Sequence, residues 1–326
     1  MRPEPVLLAA LLALPGTEVP RQLSGTGLYQ KVAGLVVDPA NRPYAPQYPL
    51  WSDGADKARW CFLPPGRTID ASRPEAWVFP VGTRFWKEFS FNGRRVETRM
   101  LWHSSRNTWT YAAYLWRPDQ TDADLVAEAG GDSAAEIAPG RTHRIPSQQD
   151  CLACHGNGGP QVLGFTALQL SDDRDPLAPH AEPLRPGMAT LATLERDGLV
   201  TPARRQWIDQ PPRIQAERPR TRAALGYLSA NCGNCHQAEQ PIPGVALILR
   251  QPVGLASLID LPTHGEVPGW AGRTRAIVPG APEGSLILHR MGTRSPYTRM
   301  PPMASELVDT QAVELLRAWI SQDLGP

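Results

Sequence analysis

Two pentapeptides carry the chemistry of this chain: Cys151-Leu152-Ala153-Cys154-His155 and Cys232-Gly233-Asn234-Cys235-His236. A Cys-x-x-Cys-His run is the attachment pattern of c-type haem. On a helical turn, residues three and four apart share a face. Two thiols at that spacing can form thioether bonds to the two vinyl edges of one porphyrin. The His, four residues after the first Cys, then points its imidazole at the iron. The sequence therefore predicts two covalently bound haem c groups. Cys151, Cys154, Cys232 and Cys235 would attach them, and His155 and His236 would be the proximal iron ligands. Four of the five Cys are used in this way.

Zinc and disulfides are the alternatives. Two CxxC units can build a zinc ribbon, but its pairs usually lie closer together and need no His after each. A redox CxxC expects a thioredoxin-like βαβ context, and neither motif has one. The fifth Cys, Cys61 in Arg59-Trp60-Cys61-Phe62, reads as a buried thiol on a strand.

Elements must hold these motifs in place. The chain has 326 residues, enough for two domains with cores of their own. Its 35 Pro are spread along the chain, which argues for many loops. Formal net charge is +1 and there is no long basic run, so nothing points to nucleic acid or an anionic membrane surface. No stretch approaches the roughly 18 apolar residues of a membrane span. Residues 1–20 hold a short apolar run, Val6 to Leu14, with the length of a signal-peptide core. Its alternative is a packed or disordered N-terminal segment.

Residues 25–128 read as a β-rich domain holding seven of the ten Trp. Asn92-Gly93 is a two-residue hairpin signal between the runs Phe85–Phe91 and Val96–Trp102. Within each run, alternate positions share a face. A second turn, Ser104 to Asn107, leads to a third strand, Thr108 to Trp116. The expectation is an antiparallel sandwich or jelly-roll-like module built around this meander, within an α+β chain. Glu128 to Gly140 reads as a linker. Residues 141–217 form the first haem-binding segment, opened by the capping box Ser147-Gln148-Gln149-Asp150. Ala189 to Asp197 reads as a helix closed by Gly198.

Residues 218–326 have a different pattern. Ala224, Leu225 and Leu228 share one face of a helix that runs into Cys232. Ala312, Leu315, Leu316 and Trp319 repeat at helical spacing after Asp309 as N-cap. Between them stands Arg299-Met300-Pro301-Pro302-Met303. The order helix, CxxCH, loops, Met-Pro and closing helix, over about residues 218 to 323, resembles a class I cytochrome c domain. That resemblance implies Met300 as the distal ligand of the second iron. The segment Val278-Pro279-Gly280-Ala281-Pro282-Glu283-Gly284-Ser285-Leu286 is also similar to cytochrome c domains of exported bacterial proteins. The stretches Tyr48-Pro49-Leu50-Trp51-Ser52-Asp53-Gly54-Ala55-Asp56-Lys57, Phe79-Pro80-Val81-Gly82-Thr83 and Val96-Glu97-Thr98-Arg99 resemble the β-rich half of exported bacterial dihaem c-type cytochromes. The resemblance implies electron transfer with a redox protein partner and a periplasmic location.

Met is a soft, unbranched ligand, and a His/Met pair raises the reduction potential. Met303 is the main rival to Met300; Met291, His289 and His264 follow. Met300 could instead be a core residue under the closing helix. The first motif has no Met-Pro turn of its own. Its distal candidates are Met188, His180, His143 and His103, with Met188 preferred because it follows Pro186-Gly187 on a loop. An open sixth position would make the first haem a peroxidase- or oxidase-type centre. A third reading makes the β-rich part a ligand-binding module with a cytochrome outlet. Asp53 and Asp56 read as turn and capping residues.

Overall fold

The structure is a computed structural model. It describes residues 18–30, 34–127, 134–156, 161–238, 247–251, 255, 258–259, 261–262, 275–303 and 305–325. The N-terminal apolar run, part of the 128–140 linker and His264 lie outside the described residues.

Seven strands come first: β1 (Arg42–Pro43), β2 (Asp56–Phe62), β3 (Ile69–Asp70), β4 (Arg84–Phe91), β5 (Arg94–Ser105), β6 (Thr108–Trp116) and β7 (Ala123–Leu125). Six of them form one antiparallel sheet in the order β1-β2-β4-β5-β6-β7. The Asn92-Gly93 hairpin is where the sequence puts it. Asn92 has φ 50° and Gly93 φ 75°, the pair of positive angles a type I′ turn needs. Phe85 pairs with Leu101 and Lys87 with Arg99 across β4 and β5. The Phe85–Lys87–Phe89 set therefore faces one way, and Thr98, Met100 and Trp102 face the other.

Among the described residues no second large sheet completes a sandwich or jelly roll. Among the described residues the remaining strands are short pairs: β8 (Ala134–Ala138) with β9 (Arg141–Arg144), and β3 with β10 (Val200–Thr201). Irregular chain covers the sheet instead. On one face Trp86, Met100 and Tyr114 pack against Leu23, Leu28 and Tyr29. On the other, Tyr44, Cys61 and Phe85 pack against Val162, Phe165, Leu170, Leu191 and Leu194. The proline-rich segment after the first motif supplies apolar side chains without regular backbone, so it replaces the expected second layer. Cys61 is buried as anticipated, and burial pushes its thiol up to about 12.

The helices are α1 (Gln148–His155), α2 (Leu191–Arg196), α3 (Gln206–Asp209), α4 (Pro219–Asn231), α5 (Leu286–Gly292) and α6 (Thr310–Ala318). The Asp309 side chain accepts from the Ala312 amide at 3.1 Å, the cap expected for α6. Leu225, Leu228, Leu288, Met291, Leu316 and Trp319 of the C-terminal helices share one core with Tyr48, Leu168, Ala178 and Ile214. Residues 218–326 therefore do not close a core by themselves. The chain is α+β, with no helix among the described residues long and apolar enough to cross a membrane.

Candidate cofactor sites

The first motif rides on α1. The Asp150 amide donates to Ser147 Oγ at 3.1 Å, and the Ser147 amide donates to Asp150 Oδ2 at 2.9 Å. This capping box satisfies two amides that a helix start leaves open. The next residues carry Cys151, Cys154 and His155 within the last turns of a helix packed against β6. His155 Nδ1 lies 2.7 Å from the Gln161 carbonyl, and its ring lies 5.3 Å from that of Tyr111. A carbonyl accepts only, so Nδ1 carries the proton and Nε2 is the lone-pair nitrogen. Burial holds the imidazole neutral, down to about 4.

The second motif begins where α4 ends, with Cys232 as C-cap. Gly233 is required there, because a Cβ would lie 2.4 Å from the Ser229 carbonyl oxygen and 2.9 Å from Arg250 Cα. His236 Nδ1 lies 3.2 Å from the Leu247 carbonyl, which again leaves Nε2 as the lone-pair nitrogen. Burial lowers the basicity of His236 too. Arg290 reaches this ring electrostatically, and the Arg290 carbonyl accepts the Met300 amide at 2.9 Å. Met300 is half-buried and held by this bond to α5.

The two motifs meet. The Cys154 and Cys235 thiols lie close enough to act on each other's ionisation, which favours the thiolate at Cys235 and the thiol at Cys154. None of the five Cys is in a disulfide. Nor are the motif thiols gathered into a four-thiolate cage: no group of three or more His, Cys, Asp or Glu among the described residues is placed to hold a metal ion.

His155 and Asn234 line a common cavity, walled by β2, β4 and β5 on one side. The space unfilled by protein atoms there, its solvent mouth included, is about 1070 Å³. Tyr44, Phe85, Leu101, Val162 and Leu168 make its walls largely apolar. The middle of the sheet face adds Arg59, Lys87 and Arg99. His155 and these apolar side chains fit one face of a porphyrin, while Cys151 borders a neighbouring pocket with Tyr111 and Ala113.

The distal candidates for the first motif lie elsewhere. His143 is buried, with Nε2 2.7 Å from Glu97 Oε2. His103 stacks on Trp109 at 4.8 Å, with Nδ1 2.9 Å from the Phe79 carbonyl. His180 holds both oxygens of Asp309 at 2.9 Å and stacks on Trp51. Met188 is near His180 in a different pocket, and its sulfur accepts the Arg185 amide at 3.3 Å. None of the four lines the cavity that His155 faces. For the second motif, Met291 is buried in the helical core, Met303 is exposed, and His289 lies on α5.

Two sets of residues were not singled out as site residues from the sequence. One is a brace. The Trp51 amide donates to Asn231 Oδ1 at 2.7 Å and its indole to the Leu307 carbonyl at 3.2 Å. Asp53, at φ 54°, accepts the Glu306 and Leu307 amides at 2.9 Å. This capping role reaches across the chain and fixes both α4 and the segment after Met303. The other set is the polar row on the sheet. Its signal was readable: Lys87 alternates with Phe85, Phe89 and Phe91 on an inward face, where a cation needs a reason. Compared with protein families, with curated proteins and with solved structures, the chain finds no match.

Proposed function

We propose that this chain is an exported dihaem c-type cytochrome that passes single electrons between two haem irons and a redox protein partner. The carrying observation is the pair of CxxCH motifs, each with its His Nδ1 on a backbone carbonyl and Nε2 left to ligate. Bound haem would supply a one-electron iron couple. The chain's own residues attach it, orient the imidazoles and exclude water. Met300 is the proposed distal ligand of the second iron, supported by its place in the Met-Pro turn and by its amide's bond to the carbonyl of Arg290, whose charge bears on His236. The contact between Cys154 and Cys235 supports two closely neighbouring haems. Export is proposed because covalent haem attachment of this kind belongs, by resemblance, outside the bacterial cytoplasm. Denaturing mass spectrometry tests the reading: the chain should carry two haem masses that resist acid-acetone extraction. Extractable haem, or bound zinc, would end it.

A second reading is a haem enzyme with an open sixth position at the first iron. The observation favouring it is that Met188, His180, His143 and His103 are all engaged outside the cavity of His155. Carbon monoxide binding to one reduced haem, with peroxide turnover far above that of free haem, would select it. Two six-coordinate, low-spin irons would select the carrier.

A further inference from the structure

Strand register puts three cations in one line. Arg59 on β2 pairs directly with Lys87 on β4, and Lys87 pairs directly with Arg99 on β5. Residues so paired have Cβ atoms about 5 Å apart, and like charges placed there repel. All three side chains line the cavity that His155 faces.

The protein's own acids do not finish neutralising this row. Glu97 accepts from Arg99 Nε at 2.6 Å and Nη2 at 2.9 Å, and it also holds His143. Glu182 takes Arg59 Nη1 at 2.7 Å. Arg59 is only 5 % exposed, yet its Nη2 has no hydrogen-bond partner. Lys87 has no acidic side chain in ion-pair contact among the described residues. Its ammonium sits 4.8 Å from the centre of the Phe89 ring. An enclosed cation without an anion is costly, and an unpaired guanidinium nitrogen wastes a donor. The residual charge faces the cavity from its middle wall, between the apolar end at Phe85 and the acid at Glu97.

We propose that Arg59, Lys87 and Arg99 form a carboxylate cradle that seats the propionates of the first haem against the β-sheet. The proposal rests on the dihaem reading. A haem carries its two carboxylates on the edge opposite its vinyl groups, so the group held by Cys151 and Cys154 brings its own anions into this cavity. Arg59 Nη2 is unpartnered and Glu97 leaves Arg99 Nη1 unused, so each guanidinium has a charge-assisted donor for a carboxylate, and Lys87 adds a point charge between the two Arg. The β-sheet domain is then a wall of the first haem site.

The test uses the full holoprotein and a potentiometric titration resolving both haems. Removing a cation beside a haem favours its oxidised form. Lys87→Gln and Arg59→Gln should each move one reduction step to more negative potential and leave the other in place. Lys87→Arg and Arg59→Lys should restore most of the shift, which a merely structural role would not predict. The step that moves should differ from the one moved by Met300→Ala. Two covalent haems with neither step moved by any variant would overturn the cradle and leave the dihaem reading standing. A shift of that step on adding acetate to the unaltered protein, absent in Lys87→Gln, would assign the row to a free anion and overturn the propionate assignment. Fewer than two covalent haems in the unaltered chain would sink the dihaem reading and the cradle with it.

Discussion

Replacing Glu75 by Gln should flatten part of the protein's stability–pH curve. Glu75 is half-buried at the edge of the first cavity, with its carboxylate turned inward. Thr166 Oγ1 donates to it at 2.7 Å and the Leu168 amide at 2.9 Å. Burial raises its pKa from 4.5 to about 7; the two hydrogen bonds and the Arg250 charge pull the other way and lose. In the unfolded chain Glu75 ionises above 4.5, while in the folded chain it keeps its proton until about 7. The unfolded state therefore binds fewer protons across that window, and stability falls as pH rises through it. At 1.36 kcal/mol per unit, the loss at the plateau is about 3 kcal/mol, trimmed to about 2–3 kcal/mol by the solvent-facing edge. Gln keeps the acceptor for Leu168 and can donate to Thr166, but it does not ionise. Urea unfolding of both holoproteins at pH 5, 6, 7 and 8 gives the difference directly. The Gln variant should gain about 2–3 kcal/mol on the unaltered protein between pH 5 and pH 8, levelling off above 7. A difference independent of pH would refute the reasoning.

Other expected outcomes follow from single contacts. Glu97→Ala strands Arg99 and His143 in the interior, which costs about 3–5 kcal/mol in denaturant unfolding; a loss under 1 kcal/mol would show that the Glu97 network is replaceable. Gly226→Ala places a methyl 2.1–2.5 Å from Tyr48 ring atoms. It should destabilise by about 1–3 kcal/mol and reduce haem loading at the second motif, with Tyr48→Leu recovering part of both. Met300→Ala should lower the potential of one haem and abolish any methionine-to-iron charge-transfer band; an unchanged spectrum, with a changed one for Met303→Ala, would move the ligand to Met303. Residues 219–326 made alone, in a host able to attach haem c, should fail to mature, because Tyr48, Leu168, Ala178 and Ile214 are missing from their core. A well-loaded fragment would show that the shared core is dispensable.

Local features with a strong short-range cause were legible in the sequence. The Asn92-Gly93 hairpin, the Ser147–Asp150 cap, the helix entering Cys232 and the Asp309 cap each rest on a few adjacent residues, and each stands where the pattern puts it. The second layer over the sheet was not legible. Its apolar residues, from Val162 to Trp207, sit mostly on irregular chain and show no period of 2 or 3.6 to read. Ligand competition was equally hidden. A free-looking His in sequence says nothing of Glu97 waiting for His143, or of Asp309 waiting for His180. Those pairings join residues far apart in the chain, and only tertiary packing brings them together. The cation row belongs to the same kind: Lys87 showed a charge among Phe residues, but only strand pairing revealed Arg59 and Arg99 beside it.

The brace and the thiol contact change how the chain divides. The sequence suggests beads on a string, a β-rich unit and two haem segments. Tyr48 packs on Gly226, Trp51 binds Asn231, and Asp53 holds the backbone of residues 306 and 307. One short stretch before β2 therefore positions both the helix that presents the second motif and the segment that follows the Met-Pro turn. The same sheet walls the cavity of the first motif. Cys154 and Cys235 then touch because both motifs are held against this common frame. On the dihaem reading, that frame fixes the distance between the two irons. A carrier benefits from this arrangement because an electron entering at one haem need not wait for domain motion to reach the other. On the same reading, a thioether at each Cys would add a second constraint on the same edge. Loosening the brace at Asp53 would then disturb the second motif first and the coupling between the two afterwards, while the meander of β4, β5 and β6, held by its own ladder of strand pairs, would keep its register.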